Sequence, residues 1–283
     1  MKGPLIAAAM VVLGTTGALA ADLSARPYTK APIIAPVHNW TGFYAGANLG
    51  GAWTRTSTAY EANDPASAFI FQFINLPANG DRSKSSGIMG GLQAGYNYQF
   101  DRSWIAGLET DLQFASIKGS SETSFLGDLE RSAASSDIKL FGSVRARLGY
   151  LPADNVLVYA TGGFAYAQLN NAASLSAING GNIGPLTVAG YSANCGVSIG
   201  LPPTCYTQSP NRLVPGWTVG GGIEYAFAPR WSLKGEYLYA NFQETIAPTA
   251  VSPSVGAIAS SYSAKFSTEL NIVRIGFNYK FGH

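Results

Sequence analysis

The chain of 283 residues predicts an all-β fold: an eight-stranded antiparallel transmembrane β-barrel of the up-and-down type, with a cleaved signal peptide. Three observations support this fold class. The N-terminus has the layout of an export signal, apolar and polar residues alternate along many segments, and tryptophan lies at the ends of those segments. A soluble β-sandwich also alternates at every second residue, so the prediction depends on the combination.

The N-terminus reads as a secretory signal. Lys2 provides a basic start, an apolar run follows, and Ala18 to Ala20 form a small-residue cleavage site. Residues 1–20 are therefore predicted to be removed, which leaves a mature chain of roughly 260 residues, a length compatible with one domain.

Residues 21–39 contain Pro27, Pro32 and Pro36 and show no sustained period. They are predicted to form an extended periplasmic linker, and residues 40–283 are predicted to form the barrel domain. After the signal, no apolar run reaches the about 20 residues that a spanning helix needs. A membrane span is therefore predicted to be a closed barrel, which leaves no backbone group unpaired in lipid.

The composition fits this architecture. Only 12% of the residues are charged and glycine is abundant at 33 residues, as expected of strands that alternate between lipid and a packed interior. The formal net charge of +2 is too small to indicate nucleic-acid binding.

Eight segments carry the alternation. In the first, Phe43 and Leu49 share one parity and Asn48 has the other; in the fourth, Ile138 is predicted to face outward and Lys139 inward. The fifth is apolar at both parities, so its faces cannot be assigned. In chain order the segments are Thr41–Trp53, Gly87–Phe100, Trp104–Phe114, Ile138–Tyr150, Val156–Leu169, Trp217–Phe227, Trp231–Tyr239 and Arg274–Phe281.

The connections alternate in length. Short turns near residues 102, 153 and 229 alternate with long polar segments, as short periplasmic turns and long external loops do in membrane barrels. The long segments are 54–85, 119–135, 170–212 and 245–264. All five tryptophans lie where a segment ends and are predicted to form an aromatic girdle at the membrane interfaces. They are Trp40, Trp53, Trp104, Trp217 and Trp231.

The inward positions carry charges of both signs. Counting back from the short turns places Glu109 opposite Arg145 and Glu224 opposite Lys234, with Arg274 diagonal to Glu236. The predicted lumen network comprises Glu109, Asp111, Arg145, Arg147, Glu224, Lys234, Glu236, Arg274 and Lys280. An eight-stranded barrel is only about wide enough for its own side chains, so a packed, salt-bridged interior is favoured over a narrow gated pore.

Five stretches resemble the outer-membrane immunogenic proteins of alphaproteobacteria, a porin-like family of OmpA-type eight-stranded barrels. They are Asn39–Gly46, Gly107–Gln113, Gly142–Tyr150, Val158–Ala167 and Asn271–Phe281. The resemblance covers nearly the whole mature chain and implies export through the periplasm to the outer membrane of a Gram-negative cell. It also implies insertion by the barrel assembly machinery, whose recognition signal matches Gly276, Tyr279 and Phe281.

Cys195 and Cys205 both lie in the longest predicted loop. An exported chain passes an oxidising compartment, so a disulfide between them is predicted. Two cysteines without a nearby histidine make a poor metal site, and neither a metal nor a cofactor is predicted.

The motifs do not favour an enzyme. The only histidines, His38 and His283, lie in the linker and at the terminus, away from the outer rim where a general base would act. No phosphate-binding loop, dinucleotide fingerprint or zinc signature is present.

Three functions stay open. The first is a structural, surface-exposed barrel that meets host, phage or neighbouring cells through its loops; the second is a narrow porin for small solutes. The third is a surface ligand binder or adhesin, for instance for a porphyrin, which the aromatic residues Tyr60, Phe69, Phe71 and Phe73 suggest. The predicted partners are outer-membrane lipid and lipopolysaccharide and the assembly machinery.

Overall fold

Eight long antiparallel strands form a closed ring. The computed structural model describes residues 38–73, 82–125, 130–177, 186–188, 191–193, 204–208, 211–247 and 261–282. In chain order the elements are β1 (Gly42–Ala62), α1 (Pro65–Phe73), β2 (Arg82–Gln99), β3 (Trp104–Phe125), β4 (Glu130–Ala153), β5 (Val156–Ala177), β6 (Leu186–Val188), β7 (Tyr191–Ala193), β8 (Thr204–Gln208), β9 (Asn211–Ala228), β10 (Trp231–Ile246) and β11 (Tyr262–Lys280).

The ring runs β1, β2, β3, β4, β5, β9, β10, β11 and closes where β11 pairs with β1. The predicted eight-stranded antiparallel barrel is therefore confirmed. The short strand β8 adds to β5 beyond the ring, and β6 and β7 pair only with each other. Among the described residues, no helix is long and apolar enough to span a membrane.

Several predictions fall on other parts of the chain. The predicted signal peptide at 1–20, nearly all of the predicted linker at 21–39, and Cys195 of the predicted disulfide lie outside the described residues. The described part begins at residue 38, just before β1.

The three short connections, at residues 100–103, 154–155 and 229–230, all lie at one end of the barrel, here called the short-turn end. Backbone hydrogen bonds join each turn to the next strand pair: Leu151 N–H donates to Ser103 O at 2.8 Å, and Ala226 N–H donates to Asn155 O at 2.9 Å. The opposite end is called the long-loop end. The three predicted short turns therefore match observed connections, whereas the predicted long segment 119–135 is mostly strand, in β3 and β4.

The strands run further toward the long-loop end than predicted. β3 and β4 have 22 and 24 residues, whereas about 9–11 tilted residues cross a bilayer. On β1, Thr54 and Thr56 continue the inward face past Trp53 and are buried, while Arg55 between them is exposed. Both faces are polar there, so the sequence pattern no longer distinguishes strand from loop.

The outer wall is apolar over the part of each strand nearest the short turns. Leu92 is 68% exposed and Leu108 is 63% exposed, values that would be costly in water but suit contact with lipid. Trp53, Trp104, Trp217 and Trp231 are all exposed at the edges of this apolar belt.

Trp40 is the exception, and the girdle prediction is wrong for it. Its side chain is only 3% exposed and packs inside the short-turn end with Ile105, Leu151, Leu157 and other residues. Trp40 precedes β1, so no strand alternation fixes the side to which its ring points.

The predicted faces of Ile138 and Lys139 are also wrong. Ile138 is buried in the interior and Lys139 is exposed, because a β-bulge shifts the β4–β5 register between Ile138 and Leu140. An extra residue in one strand reverses the parity of the residues beyond it.

Three layers fill the interior, and β4 shows their order. From the short-turn end, its inward residues are Leu151 in a small apolar cluster, then Arg147 and Arg145, then Phe141 and Ile138 in a larger apolar cluster. The larger cluster is called the apolar layer. Its buried members are Ala52, Met89, Ile117, Ile138, Phe141, Ala165, Ala167, Leu169, Val214, Leu238, Ala240, Phe242, Leu270 and Ile272.

The layers also explain the fifth predicted strand, whose faces the sequence could not assign. On β5, Leu157 and Tyr159 belong to the apolar cluster at the short-turn end, and Ala165 and Ala167 belong to the apolar layer. Phe164 lies between these inward residues and is 53% exposed on the outer wall. β5 is thus apolar on both faces because one face contacts lipid and the other contacts two apolar clusters.

Candidate functional site

A cluster of eight buried charged side chains fills the lumen between the two apolar clusters, and it is called the charged layer. Its members come from five strands and are each at most 4% exposed. They are Glu109 and Asp111 on β3, Arg145 and Arg147 on β4, Glu224 on β9, Lys234 and Glu236 on β10, and Arg274 on β11. Alternation places all of them inward because each shares the parity of its strand's other lumen residues.

Arg145 joins three carboxylates. Its Nη2 donates to Glu109 Oε1 at 2.5 Å and to Asp111 Oδ2 at 2.9 Å, and its Nη1 donates to Glu236 Oε1 at 3.0 Å. The planar guanidinium can hold several acceptors in fixed directions, as this arrangement requires. Arg145 therefore ties β4 to both β3 and β10.

Arg274 shares two of these partners from the other side. Its Nε donates to Glu236 Oε2 at 2.7 Å, and its Nη2 donates to Asp111 Oδ2 at 2.8 Å. Asp111 Oδ2 thus accepts from Arg145 and Arg274 together. The two guanidinium groups would repel each other, and the carboxylates between them offset that repulsion.

Glu109 lies at the centre of the layer. Lys234 Nζ donates to both of its carboxylate oxygens at 2.8 Å, and the Tyr44 hydroxyl donates to Oε2 at 2.7 Å. With Arg145 on Oε1, Glu109 accepts hydrogen bonds from three strands other than its own. A buried carboxylate is stable only with such partners.

Arg147 and Glu224 form a second centre nearer the short-turn end. Arg147 Nη2 donates to Glu224 Oε2, and the guanidinium carbon of Arg147 lies 3.6 Å from the centroid of the Tyr159 ring. Ser232 Oγ donates to Glu224 Oε1 at 2.5 Å, and Asn278 Nδ2 donates to the same oxygen at 2.7 Å. Stacking on an aromatic face adds a cation–π attraction to the ion pair.

The charged layer is electrically balanced, with four acids and four bases. A chain of amides connects it to β1 and β2: Asn278 Oδ1 accepts from Gln93 Nε2 at 2.6 Å, and Gln93 Oε1 accepts from Asn48 Nδ2 at 2.8 Å. Every strand of the ring therefore contributes a polar side chain to this level, since β5 supplies Tyr159, whose hydroxyl donates to Glu236 at 3.1 Å.

The predicted pairing agrees with the register at two positions. Glu109 lies directly opposite Arg145, and Glu224 lies directly opposite Lys234. Glu236 lies directly opposite Arg274 rather than diagonal to it. The Glu224–Lys234 pairing holds even though the register of β9 and β10 shifts beside their short turn, which Pro229 and Arg230 form.

Lys280, the ninth predicted lumen charge, does not join the charged layer. It lies at the short-turn end, where its Nζ donates to the backbone carbonyl of Asn39. Its position at the end of β11 is inward by parity, but the barrel interior ends there.

The N-terminal residues before β1 close the short-turn end. Trp40 Nε1 donates to Asp154 O at 3.0 Å, and the His38 ring lies edge-on to Trp40 with centroids 4.7 Å apart. Burial and the nearby Lys280 ammonium lower the pKa of His38, while Glu224 acts in the opposite direction. This end is thereby closed by an indole ring that the sequence prediction placed in the girdle at the membrane interface.

The residues of the predicted assembly signal lie on both faces of β11 and just past its end. Gly276 is inward, where an added Cβ would lie 3.0 Å from Gln93 Nε2. The Tyr279 ring packs edge-on against Trp231 and Phe281, with centroids 5.0 and 5.2 Å apart, and Phe281 is half-exposed on the outer wall.

Sequence reasoning missed the tyrosines and the apolar layer. Tyr44 and Tyr159 share the inward parity. Tyrosine is also found on the lipid face, so the residue type alone did not predict that these two side chains join the charged layer. The apolar layer could have been predicted from the sequence of β10. There the inward residues change from charged to apolar after Glu236, with Leu238, Ala240 and Phe242.

Comparison with known proteins places this architecture in a family. Residues 6–281 match the model of the outer membrane protein β-barrel domain. The 31 kDa outer-membrane immunogenic protein of Brucella melitensis is 32% identical over 280 residues, which cover 98% of this chain and 99% of that protein. The 25 kDa outer-membrane immunogenic protein of Brucella canis is 23% identical, over 98% of this chain and 96% of that protein.

Among solved structures, the attachment invasion locus protein Ail of Yersinia pestis covers 84% of this chain and 99% of its own, with 14% identity and a TM-score of 0.31. A likeness of that strength says nothing about function. The family model and the relatives from Brucella confirm the resemblance noted in the sequence and the location in the outer membrane of a Gram-negative cell. The chain belongs to the family of outer-membrane β-barrel domain proteins that includes the outer-membrane immunogenic proteins of Brucella.

Proposed function

We propose that this protein is a closed outer-membrane barrel whose role is structural and surface-exposed, and that it does not conduct solutes. One observation carries the proposal: two different seals lie in series in the lumen. The charged layer fills the cross-section nearer the short turns, and the apolar layer fills it on the side of the long loops.

The charged layer blocks the lumen because its side chains are partnered across the barrel. Every one of its four cations lies within 4.0 Å of at least one carboxylate. An ion would have to break several buried pairs to pass, and breaking one by removing a partner costs roughly 3–5 kcal/mol. The balance of charge also leaves no surplus to attract ions of one sign.

The apolar layer blocks the lumen in a different way. Phe141 and Phe242 meet edge-on at a centroid distance of 6.3 Å, and both rings are buried. The other members of the apolar layer offer no donors or acceptors to a hydrated solute, and the polar side chains directly opposite the two rings, Gln113 and Thr268, are themselves buried. A constriction lined mainly by apolar side chains opposes the passage of water as well as ions.

The surface role rests on the length of the strands. β3 and β4 continue as a paired ribbon from the apolar belt to Phe125 and Glu130, so the barrel wall projects beyond the lipid at the long-loop end. Relatives named for immunogenicity support exposure of this end to the outside. Host, phage or neighbouring cells would meet the protein there.

A binder or adhesin receives less support from Tyr60 and Phe71, two of the four aromatic residues that suggested it; the side chains of the other two, Phe69 and Phe73, lie outside the described part. The Tyr262 ring packs against Tyr60 and Phe71 with centroids 5.8 and 5.5 Å apart, which joins α1 to the barrel wall. Tyr60 and Tyr262 are also buried. Tyr60 and Phe71 are thus used in packing rather than presented to a ligand.

The test is the conductance of the refolded full chain in a planar bilayer. We expect no stable open level from the wild-type protein. A control variant should breach both seals, with Glu109→Ala and Lys234→Ala in the charged layer and Phe141→Ala and Phe242→Ala in the apolar layer. Stable conductance from this variant beside a silent wild type supports two seals.

Reproducible wild-type steps that scale with salt would overturn the proposal in favour of a narrow porin. Opening after the charged-layer changes alone would show that the apolar layer is not a seal. Migration of each variant on unheated gels should establish that it is folded before its conductance is compared.

A further inference from the structure

We propose that the outer wall at the long-loop end carries a binding site for the phosphate group of an outer-leaflet lipid, formed by Arg55, Arg82 and Lys84 above Trp53 and Tyr239. The site faces away from the lumen, so it does not depend on whether the barrel conducts. It does depend on the location in the outer membrane, which the family relationship establishes.

The site lies where the apolar belt ends. On β1 the outward residue Trp53 is followed two positions later by Arg55. On β2 the next outward residues after Ile88, toward the long-loop end, are Ser86 and then Lys84. Tryptophan prefers the boundary between acyl chains and headgroups. Arg55 and Lys84 therefore lie at the level of the lipid headgroups.

Cations outnumber carboxylates on this part of the wall. Lys265 is paired with Glu61 at 2.5 Å, and Glu269 lies opposite Arg55 in the β1–β11 register. In the described part of the chain, no ion pair joins Arg55, Arg82 or Lys84 to a carboxylate, although every cation of the charged layer has such a pair. The four outward cations on β1, β2 and β11 are Arg55, Arg82, Lys84 and Lys265.

The register brings these cations within reach of one anion. Arg55 lies directly opposite Lys84, and Ser57 lies directly opposite Arg82. Directly opposed side chains have Cβ atoms about 4.5–5.5 Å apart, so two such cations can contact the same phosphate. Arg55 and Arg82 can in addition bind phosphate oxygens in pairs.

Two shallow grooves in the wall shape the site. One, of about 460 Å³, is lined by Trp53, Arg55, Lys84, Tyr239 and neighbouring residues, among them the acidic Glu269. The other, of about 440 Å³, lies further from the membrane and is lined by Ser57, Arg82, Lys265 and neighbouring residues, among them Glu244. The first groove combines an aromatic edge with cations, which matches a molecule that has an acyl body and an anionic head.

A phosphorylated glycolipid of the outer leaflet fits both features. Its acyl chains would lie along the apolar belt, and its phosphate would lie between Arg55 and Lys84. A free phosphate ion would use the same cations but gain nothing from Trp53 and Tyr239. The grooves open on the outer wall rather than into the lumen, which favours a molecule of the membrane over a soluble ligand.

The experiment measures binding of diphosphoryl lipid A to the detergent-solubilised full chain. The test variant is Arg55→Gln with Lys84→Gln. The matched control is Arg102→Gln with Lys139→Gln, which removes two exposed cations from a short turn and from β4, outside both grooves. We expect about tenfold weaker binding by the test variant and less than about a twofold change in the control.

Two further probes identify the chemistry. Dephosphorylated lipid A should bind the wild type about as weakly as lipid A binds the test variant, and inorganic phosphate should not compete at concentrations that saturate lipid A binding. Equal binding of phosphorylated and dephosphorylated lipid, or an unchanged test variant, would overturn the proposal. Full competition by inorganic phosphate would reassign the site to a free anion.

The Gln variants are expected to fold, since both cations are exposed, and heat-modifiable migration on gels checks this. If the double variant does not fold, the single Arg55→Gln and Lys84→Gln variants give the same comparison. Each should bind lipid A more weakly than the wild type, and wild-type affinity in both would contradict the site.

Discussion

Lys234 Nζ lies 2.8 Å from each carboxylate oxygen of Glu109. Glu109 is on β3 and Lys234 is on β10, which are four places apart in the ring of eight strands. The pair therefore spans the barrel from one wall to the opposite wall. Backbone hydrogen bonds join only neighbouring strands, so such side-chain ties alone connect opposite walls directly.

This relationship predicts strong energetic coupling between the two residues. Glu109→Gln alone or Lys234→Met alone leaves an uncompensated buried charge, and each should lower the unfolding free energy by about 3–5 kcal/mol. The double variant restores the balance of charge, so its loss should be smaller than the sum of the single losses by about 1–3 kcal/mol. Urea unfolding in lipid vesicles measures all three.

The exposed pair Glu61–Lys265 is the matched control for that cycle. Its atoms are 2.5 Å apart, but both side chains are more than half exposed. Water screens such a pair, so Glu61→Gln and Lys265→Met should show far weaker coupling. Additive losses at Glu109 and Lys234 would mean that the cross-barrel tie contributes nothing to stability.

The apolar belt predicts a depth-dependent cost of charge on the outer wall. Leu108 is four residues from Trp104, near the middle of the belt, and Leu108→Arg should cost about 2–4 kcal/mol of unfolding free energy in lipid vesicles. Ser86→Arg, outward on β2 at the edge of the belt, should cost no more than about 1 kcal/mol. Equal effects at the two positions would contradict the placement of the membrane.

The burial of Trp40 predicts that it matters more to stability than a girdle tryptophan does. Trp40→Ala opens a cavity in the short-turn end and should cost about 3–5 kcal/mol. Trp231→Ala removes a ring that is 47% exposed and should cost clearly less. Urea titration of both variants in vesicles compares the two losses of unfolding free energy. A larger loss for Trp231→Ala would contradict the buried position of Trp40.

His38 predicts a pH dependence at the short-turn end. Burial and Lys280 lower its pKa in the folded state, so the unfolded chain binds the proton more readily. Stability from this residue is present above the unfolded pKa of about 6.5 and is lost as the pH falls through the lower folded value. Unfolding at pH 7 and pH 5 should show a smaller pH effect in His38→Gln than in the wild type, and an unchanged effect would contradict the shift.

The strand alternation predicted which residues face the lumen, but not which of them meet. Glu109 and Arg145 could be paired from the sequence because one short turn separates their strands and sets the register. Lys234 and Glu109 could not, because the alternation carries no information about contacts across the interior. Their meeting depends on the diameter of the ring and on which strands come to lie opposite.

Two errors have a local cause. Ile138 and Lys139 exchanged faces at a bulge, and a single inserted residue leaves no clear signal in the sequence. Trp40 was assigned to the interface girdle because tryptophan at a strand end is typical of the girdle, but its position ahead of β1 lets it pack inside the short-turn end instead. In both cases the pattern was extended past the point where the regular strand holds.

The seam between β1 and β11 determines how the protein can fold. Every pair along it, from Tyr44 with Lys280 to Ala62 with Tyr262, joins residues 200 or more positions apart. Until β11 is in place, both β1 and β10 present a long unpaired edge, which is a template for pairing with another chain. Contacts so distant in sequence also form slowly. A chain shortened before β11 should therefore accumulate as open sheets that associate edge to edge rather than as a smaller barrel.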